Sequence, residues 1–326
     1  MDNLAHGLVG AALGEAGLKE KTGLGMATLI LAANLPDIDV LGLFFNENLA
    51  WRRGWTHGPV AMLILPPLLV AAMVAFDRWQ AKRGKRPPAR LPLHVGWLFA
   101  LAYIGWFTHP LLDFFNTYGI RLLMPFSDRW FYGDTLFIID PWLWSALAIG
   151  VWLSRHRRRR QATAPRIPAQ ASLALVAGYA ALMGASSVAA ERIATQAVEA
   201  RGLGPVRTAV SSPAPVDPFR RDIVVATADS YVFGELRWTP APVLKLSDQV
   251  VPTNMDDPAI EAARREKHMA DFLYWSRLPF ATIERHADET IVRITDARYS
   301  SGATAGRFGE VVKLSPDQAG GAGDRP

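Results

Sequence analysis

The sequence predicts an all-α polytopic membrane domain of about six helices followed by a small α+β extracytoplasmic domain. Three observations carry that reading. Half of the 326 residues are hydrophobic and the mean hydropathy is positive, at +0.10, where a soluble domain of this length is usually slightly hydrophilic. The apolar residues gather in runs at 59–76, 93–115, 136–153 and 171–190, each near the roughly 17–25 residues that cross a hydrocarbon core. The basic residues behind the net charge of +5 sit in loops between those runs.

In chain order, residues 4–18 form a short, weakly apolar helix rich in Gly and Ala. The chain starts Met1-Asp2-Asn3 without a basic segment, and Glu15 follows the apolar stretch, so a signal peptide is not expected. Residues 22–45 form a second apolar run, interrupted by Asn34-Leu35-Pro36-Asp37-Ile38-Asp39, with a hairpin turn at Lys19-Glu20-Lys21. Loop 77–92 carries Arg78, Lys82, Arg83, Lys85, Arg86 and Arg90 against Asp77, and loop 154–170 carries Arg155, Arg157, Arg158, Arg159, Arg160 and Arg166 without an acid. Loops 46–58 and 116–135 are balanced in charge. Lys and Arg in short loops mark the cytoplasmic side. The N-terminus and the C-terminal domain are therefore expected on the extracytoplasmic side. Trp51, Trp55, Trp106, Trp130, Trp142 and Trp144 fall near the outer helix ends, as an interfacial belt would.

The membrane domain is assigned to 1–195. Pro205, Pro213, Pro215 and Pro218 mark 196–218 as a linker. The α+β domain is assigned to 219–315, with strands at 222–229 and 231–238, an amphipathic helix at 259–277, and strands at 280–285, 290–299 and 308–314. The Gly- and Asp-rich tail 316–326 reads as disordered.

The absence of cysteine excludes disulfides, thiolate zinc sites, iron–sulfur clusters and a cysteine nucleophile. The pI of 9.6 reflects loop charge facing anionic lipid, so no nucleic-acid partner is expected. Ionisable residues inside apolar spans are costly and point to function. Here they are His6, Asp37, Asp39, His109 and Asp113, with His57 just before the third apolar run. The topology set by loop charge alone puts all six at the outer side and at similar depth. His109 and Asp113, at i and i+4, share one helix face. Pro36 removes a backbone donor and disfavours helix at Leu35, as expected of a break lining a polar cavity. Three imidazoles and three carboxylates without thiolate suit Zn, Mn or Fe better than Ca or Mg, as one ion or as two with a bridging Asp. Such ions activate water and neutralise a phosphoryl or carbonyl oxygen, with Asp37 or Asp39 bridging or acting as base. Asn34 and Asn116 are candidates to support the ligands. Asp140 is a further candidate, although Asp before Pro141 favours a helix N-cap. Arg52 and Arg53 are candidates to bind an anionic head group.

Four motifs together resemble those of the bacterial membrane-bound metal-dependent hydrolases. They are Asp2-Asn3-Leu4-Ala5-His6-Gly7, Asn34-Leu35-Pro36-Asp37-Ile38-Asp39, Arg53-Gly54-Trp55-Thr56-His57-Gly58 and His109-Pro110-Leu111-Leu112-Asp113-Phe114-Phe115-Asn116-Thr117-Tyr118-Gly119. That family is thought to be distantly similar to the zinc phospholipase C and single-strand nuclease superfamily. The resemblance covers about residues 1–155. It implies a helical metallohydrolase with His6, Asp37, Asp39, His57, His109 and Asp113 as ligands, zinc as the first choice of metal, and phosphoester chemistry. An anionic ester or phospholipid-like substrate follows from the depth of the site. Two other classes stay open. A transporter or metal-ion carrier would also place ionisable residues in broken helices, but needs a matching inner-half set that the sequence lacks. An inert membrane anchor would leave the work to the C-terminal domain.

Overall fold

The computed structural model describes residues 1–45, 52–300 and 308–319. The chain divides into two compact units, Met1–Gly184 and Ala185–Pro326.

The first unit is helical. Asp2 caps α1 (Asn3–Glu15), its carboxylate accepting from the main-chain N–H groups of Leu4 and Ala5. A short 3-10 turn, Leu18–Lys21, leads to α2 (Gly25–Asn34). Then the helix changes type: Leu35–Phe45 is a 3-10 helix of 11 residues, where such helices seldom exceed one or two turns. Pro36 was expected to drive Leu35 out of the helical region. Leu35 instead stays helical at φ −62, ψ −37, so the proline's missing N–H alters the hydrogen-bond pattern without ending the helix. α3 (Pro59–Lys82), α4 (Val95–Phe114), α5 (Pro141–Arg159) and α6 (Ile167–Ala200) follow.

Among the described residues, four helical segments are long and apolar enough to cross a membrane: Gly25–Gly42, Pro59–Lys82, Val95–Phe114 and Ile167–Ala200. The expectation of about six is met only at that coarser level. α1 has 13 residues. The run read as 136–153 begins later, at Pro141, and ends in His156, Arg157, Arg158 and Arg159.

α1 packs on α2 and α5, α2 on α4, and α3 on α4. Close approach is possible where side chains are missing: a Cβ on Gly10 of α1 or on Gly105 of α4 would each meet the Leu29 carbonyl oxygen of α2 at 2.8 Å. Ala5, Val9 and Ala12 form one core with Leu143, Leu147, Val176 and Ala180. Ala32, Leu69, Val70, Leu98 and Ala102 form another. At the far end of α1 the buried Glu15 carboxylate binds Lys19 at 2.5 Å and Arg155 at 2.9 Å, pinning α5 to α1. Of the expected Trp belt, Trp55 and Trp142 are exposed, Trp106 is buried, and Trp51 lies outside the described residues.

The second unit takes Ala185 onward from α6 and adds two antiparallel sheets, β1-β2-β3-β4 and β5-β6-β7. The first contains β1 (Thr208–Pro213), β2 (Arg220–Ala226), β3 (Ser230–Arg237) and β4 (Val243–Pro252). The stretch 196–218 read as a linker thus holds the end of α6 and a whole strand, β1, which pairs with β2 from Thr208↔Ala226 to Pro213↔Arg221. β2 is buried on both faces. Ile223 and Val225 pack on Ala190, Ala194 and Val198 of α6, while Val224 and Ala226 face Leu278 and Ala297. The helix expected at 259–277 is two helices, α7 (Pro258–Ala263) and α8 (Lys267–Trp275), because Glu266 turns extended at φ −75, ψ 126. β5 (Pro279–Arg285), β6 (Thr290–Asp296) and β7 (Gly309–Leu314) complete the second sheet. The strand read as 290–299 stops at Asp296, whose carboxylate starts the 3-10 turn Ala297–Tyr299. Asp296 is fully buried against Arg298 Nη2 at 2.8 Å and the Ser276 hydroxyl at 2.7 Å. Burial alone would raise its carboxyl, but the guanidinium and hydrogen bonds outweigh it and bring the pKa down to about 2. In the tail read as disordered, Pro316–Ala319 forms a helical turn, α9, and 320–326 lie outside the described residues.

Candidate metal centre

Three pieces of chain meet at one end of α4. The first is α4 itself, which presents His109 and Asp113 one turn apart, both fully buried. Pro110 between them lacks an N–H, so the helix carries one unmade main-chain bond beside the site. The second is the 3-10 helix after α2. Successive residues there advance by about 120°, so Asp37 and Asp39 leave its axis in different directions. Asp37 Oδ1 lies 3.7 Å from His109 Nε2, and Asp39 Oδ2 lies 3.6 Å from His57 Nδ1. The third is the turn before α3, which carries Arg53 and His57.

That turn is fixed mainly by backbone contacts. The Arg53 carbonyl accepts from Arg121 N–H at 2.8 Å, and the Arg52 carbonyl accepts from Arg121 Nη2 at 3.1 Å. The Arg53 N–H donates to Asp39 Oδ2 at 2.7 Å. Gly58 has to be glycine, since a Cβ there would meet the Met124 carbonyl oxygen at 2.1 Å.

Asp37, His57, His109 and Asp113 each offer a ligand atom, all within 4.8 Å of one another and all on buried residues. Three of these atoms form a tighter triangle. His57 Nε2 and His109 Nε2 are 3.1 Å apart, and each is 3.4 Å from Asp113 Oδ2. His109 Nδ1 faces the Ala33 carbonyl oxygen at 2.7 Å. A carbonyl only accepts, so Nδ1 carries the proton and Nε2 of the neutral ring presents a lone pair. For His57, the Thr56 hydroxyl at 2.9 Å and the Asp39 carboxylate beside Nδ1 suit the same tautomer. Two imidazole lone pairs and a carboxylate oxygen therefore converge. Three ligands bound at about 2.0–2.1 Å in tetrahedral zinc geometry stand about 3.3–3.4 Å apart, which the triangle matches.

The cluster also leaves buried polar atoms unmatched. Asp37 Oδ2, Asp39 Oδ1, Asp113 Oδ2 and both ring nitrogens of His6 are buried without a hydrogen-bond partner among the described residues. Buried polar atoms are normally paired, and a cation at the triangle would answer Asp113 Oδ2, with Asp37 beside it. The residues fit a divalent metal.

The remaining sequence-derived candidates lie as follows. His6 stacks on His109, ring centroids 3.7 Å apart and planes 14° apart, with Nε2 3.4 Å from Asp113 Oδ1. The Met1 amino group also contacts Asp113. Arg53, a candidate for an anionic head group, is turned inward: it is 1% exposed, with Nη2 3.2 Å from Asp113 Oδ1 and Nη1 2.8 Å from Asn116 Oδ1. Arg52 is half-buried. Asn116 supports the site through Arg53, whereas Asn34 donates back to the Ile30 carbonyl of its own helix at 2.9 Å. Asp140 caps α5, accepting from the N–H groups of Trp142 and Leu143 at 3.0 Å, and takes the Tyr179 hydroxyl at 3.0 Å. Sequence reasoning gave no role to Arg121 or to Tyr118, whose ring lies 4.8 Å under the Arg53 guanidinium. Tyr118 stands inside the fourth motif, while Arg121 joins a partner 69 residues away and leaves no local signal.

Residues 1–190 match the family model described as YdjM inner membrane protein. Over 314 residues the chain is 26% identical to a Bacillus subtilis (strain 168) protein named "Uncharacterized protein YfhP", an alignment covering 92% of this chain and 88% of that one. No solved structure matches. The matched region contains all four membrane-length segments' starts and every residue of the cluster, and the chain belongs to the YdjM inner membrane protein family.

Proposed function

We propose that this protein is an integral inner-membrane, metal-dependent hydrolase that cleaves a phosphoester or related ester of a lipid-like, anionic substrate. The observation that carries the reading is the triangle of His57 Nε2, His109 Nε2 and Asp113 Oδ2, with edges of 3.1 and 3.4 Å and Asp37 beside it. Two imidazoles and a carboxylate with a further position open is a ligand pattern of catalytic zinc. Zinc is the first choice, with manganese or iron as the other candidates. An ion held there supplies a Lewis acid for the ester oxygen and makes water reactive near neutral pH.

The chain's own groups divide the remaining work. Asp37, with Oδ2 unpartnered, takes the proton from the attacking water. The Ala33 carbonyl holds His109 in its ligating tautomer, and Arg53 offsets the Asp113 charge. Arg52 stands at the same turn to meet an anionic group. In the proposed topology α1 and α5 join the four membrane-length segments, the basic loops face the cytoplasm, and the site with the C-terminal domain faces outward. α5, with 19 residues, is about 28 Å long, near the thickness of the hydrocarbon core.

Metal content of the detergent-purified chain, measured by elemental mass spectrometry beside a His109→Ala/Asp113→Ala variant, is the first test. Bound zinc, manganese or iron that disappears in a variant still eluting as folded protein supports the reading and directs a screen of phosphoesters and phospholipids. A wild type that binds no ion after reconstitution ends it.

A further inference from the structure

The two carboxylate oxygens of Asp113 face different surroundings. Oδ2 closes the triangle with His57 and His109. Oδ1 takes the Met1 amino group and lies 3.2 Å from Arg53 Nη2 and 3.4 Å from His6 Nε2. The Arg53 guanidinium is held from other sides as well. Nη1 donates to Asn116 Oδ1 at 2.8 Å and to the Gly119 carbonyl oxygen at 3.3 Å, and the Tyr118 ring lies 4.8 Å away. Its main chain takes φ 53, a left-handed conformation that costs a non-glycine residue free energy and persists where surrounding contacts impose it. In that conformation the Arg53 N–H reaches Asp39 Oδ2 at 2.7 Å. One residue thus occupies an oxygen of Asp113 with its side chain and an oxygen of Asp39 with its backbone.

We infer that the centre takes one divalent ion, and that Arg53 is the positioning residue standing as a fixed cation where a second ion would have to bind. The inference rests on the cluster being a metal centre. A second ion would draw on what the four-residue group leaves over: His6, Asp39 and Asp113 Oδ1. Arg53 already engages both carboxylates. A guanidinium stays charged at any working pH, so its repulsion of a second divalent ion is permanent. His6, stacked on His109 at 3.7 Å, braces that ligand ring. The same burial removes Arg53 from substrate contact, since its side chain is turned inward onto Asp113, Asn116 and Gly119, and leaves the half-buried Arg52 as the anion-binding candidate of this turn.

The full chain in detergent is loaded with zinc, freed of loosely held ion by gel filtration, and assayed for zinc per chain. One ion per chain is the expected result. Two ions per chain overturn the inference and leave the metal centre standing, whereas none overturns the metal reading itself. The role of Arg53 is read from zinc affinity, by competition with a chromogenic chelator. Arg53→Lys keeps the charge but loses the planar fork, and is expected to bind one zinc about tenfold more weakly or worse while still eluting as folded protein. Unchanged affinity in that variant sinks the positioning role. If Arg53→Lys does not fold, Asn116→Ala removes an anchor of the guanidinium without touching the four-residue group. The same weakening is expected there, and an unchanged affinity is equally decisive against it.

Discussion

His57→Asn separates the proposed metal centre from an ordinary buried histidine. Asparagine places a side-chain amide near the position of Nδ1, so the contacts with Thr56 Oγ1 at 2.9 Å and Asp39 Oδ2 at 3.6 Å can be kept, while the Nε2 corner of the triangle is removed. Structural zinc sites are worth about 10–16 kcal/mol; shared over four ligands, that is about 3 kcal/mol each, or about a hundredfold to a thousandfold in affinity. At free zinc about 1,000 times the wild-type dissociation constant, the ion stabilises the fold by about 4 kcal/mol, and the variant would retain only about 1 kcal/mol. For a unit of the size of Met1–Gly184, a loss of about 3 kcal/mol is about 6–12 °C in melting temperature. Thermal unfolding in detergent, with chelator and with zinc, reads this directly. The wild type shows a zinc-dependent rise, and His57→Asn loses most of it while its metal-free melting temperature falls by only a few degrees for the ring atoms removed. A variant that keeps the full zinc-dependent rise refutes the assignment of His57. A wild type whose melting temperature is the same with chelator and with zinc refutes the metal centre in favour of simple packing.

Asp37→Asn leaves the triangle intact and breaks no hydrogen bond made by Oδ2. It should keep zinc while lowering turnover on any hydrolysed ester by about 10²–10⁴, the usual worth of a general base; retained turnover with retained zinc removes Asp37 from the chemistry. In the second unit the Asp296 pKa is lowered from 3.8 to about 2, so its pair with Arg298 contributes about 2 kcal/mol above pH 4, which is lost as the pH falls through 2. Near-ultraviolet circular dichroism of the full chain should show that loss between pH 4 and 2, and Asp296→Asn should flatten the dependence while lowering stability at pH 7. The absence of native cysteine makes single thiols clean reporters. Under the proposed topology, Ser127→Cys and Asp248→Cys label with an impermeant maleimide in intact spheroplasts and Ala162→Cys only after lysis; labelling of Ala162→Cys in intact cells inverts the orientation.

Charge and hydropathy made the membrane half legible, because burial in lipid restricts composition strongly. Loop charge put the six ionisable residues at one depth, and the structure brings His57, His109, Asp37 and Asp113 within 4.8 Å. Composition could not say which way each side chain turns. Arg53 looks like a loop arginine in sequence; its partners Asp113, Asn116 and Gly119 lie 60 or more positions away, and only packing directs it inward. β1 and β4 escaped notice for a different reason. β1 is Thr-Ala-Val-Ser-Ser-Pro, with buried serines where a strand signal needs large apolar residues, and β4 is largely exposed along its length. The 3-10 helix was half legible: Pro36 signalled a change, but the choice between breaking a helix and tightening it depends on neighbours that sequence does not supply.

Buried ionisable residues in a helical membrane domain can also serve to hydrogen-bond helices together, and the two roles leave different marks. A network that holds helices together satisfies its members, since each unpaired buried polar group forfeits the free energy the network exists to supply. The Asp140–Tyr179 pair and the Glu15–Lys19–Arg155 group have that character, with charged or capping contacts at 2.5–3.0 Å. The cluster of Asp37, His57, His109 and Asp113 does not. Its cations meet at one oxygen, Asp113 Oδ1, which takes the Met1 amino group and Arg53 Nη2, while His109 Nδ1 is spent on Ala33 and the Arg53 N–H on Asp39. What points inward is lone pairs, at His57 Nε2, His109 Nε2, Asp113 Oδ2 and Asp37. Electron-rich atoms held together in a dry interior repel one another, so the arrangement lowers the stability of the metal-free chain and needs the close packing of Gly10 and Gly105 on Leu29, and of Gly58 on Met124, to persist. A site that uses its supporting contacts to aim acceptors at a common point could hold a cation, and the cost it carries without one is the physical reason to look for the ion first.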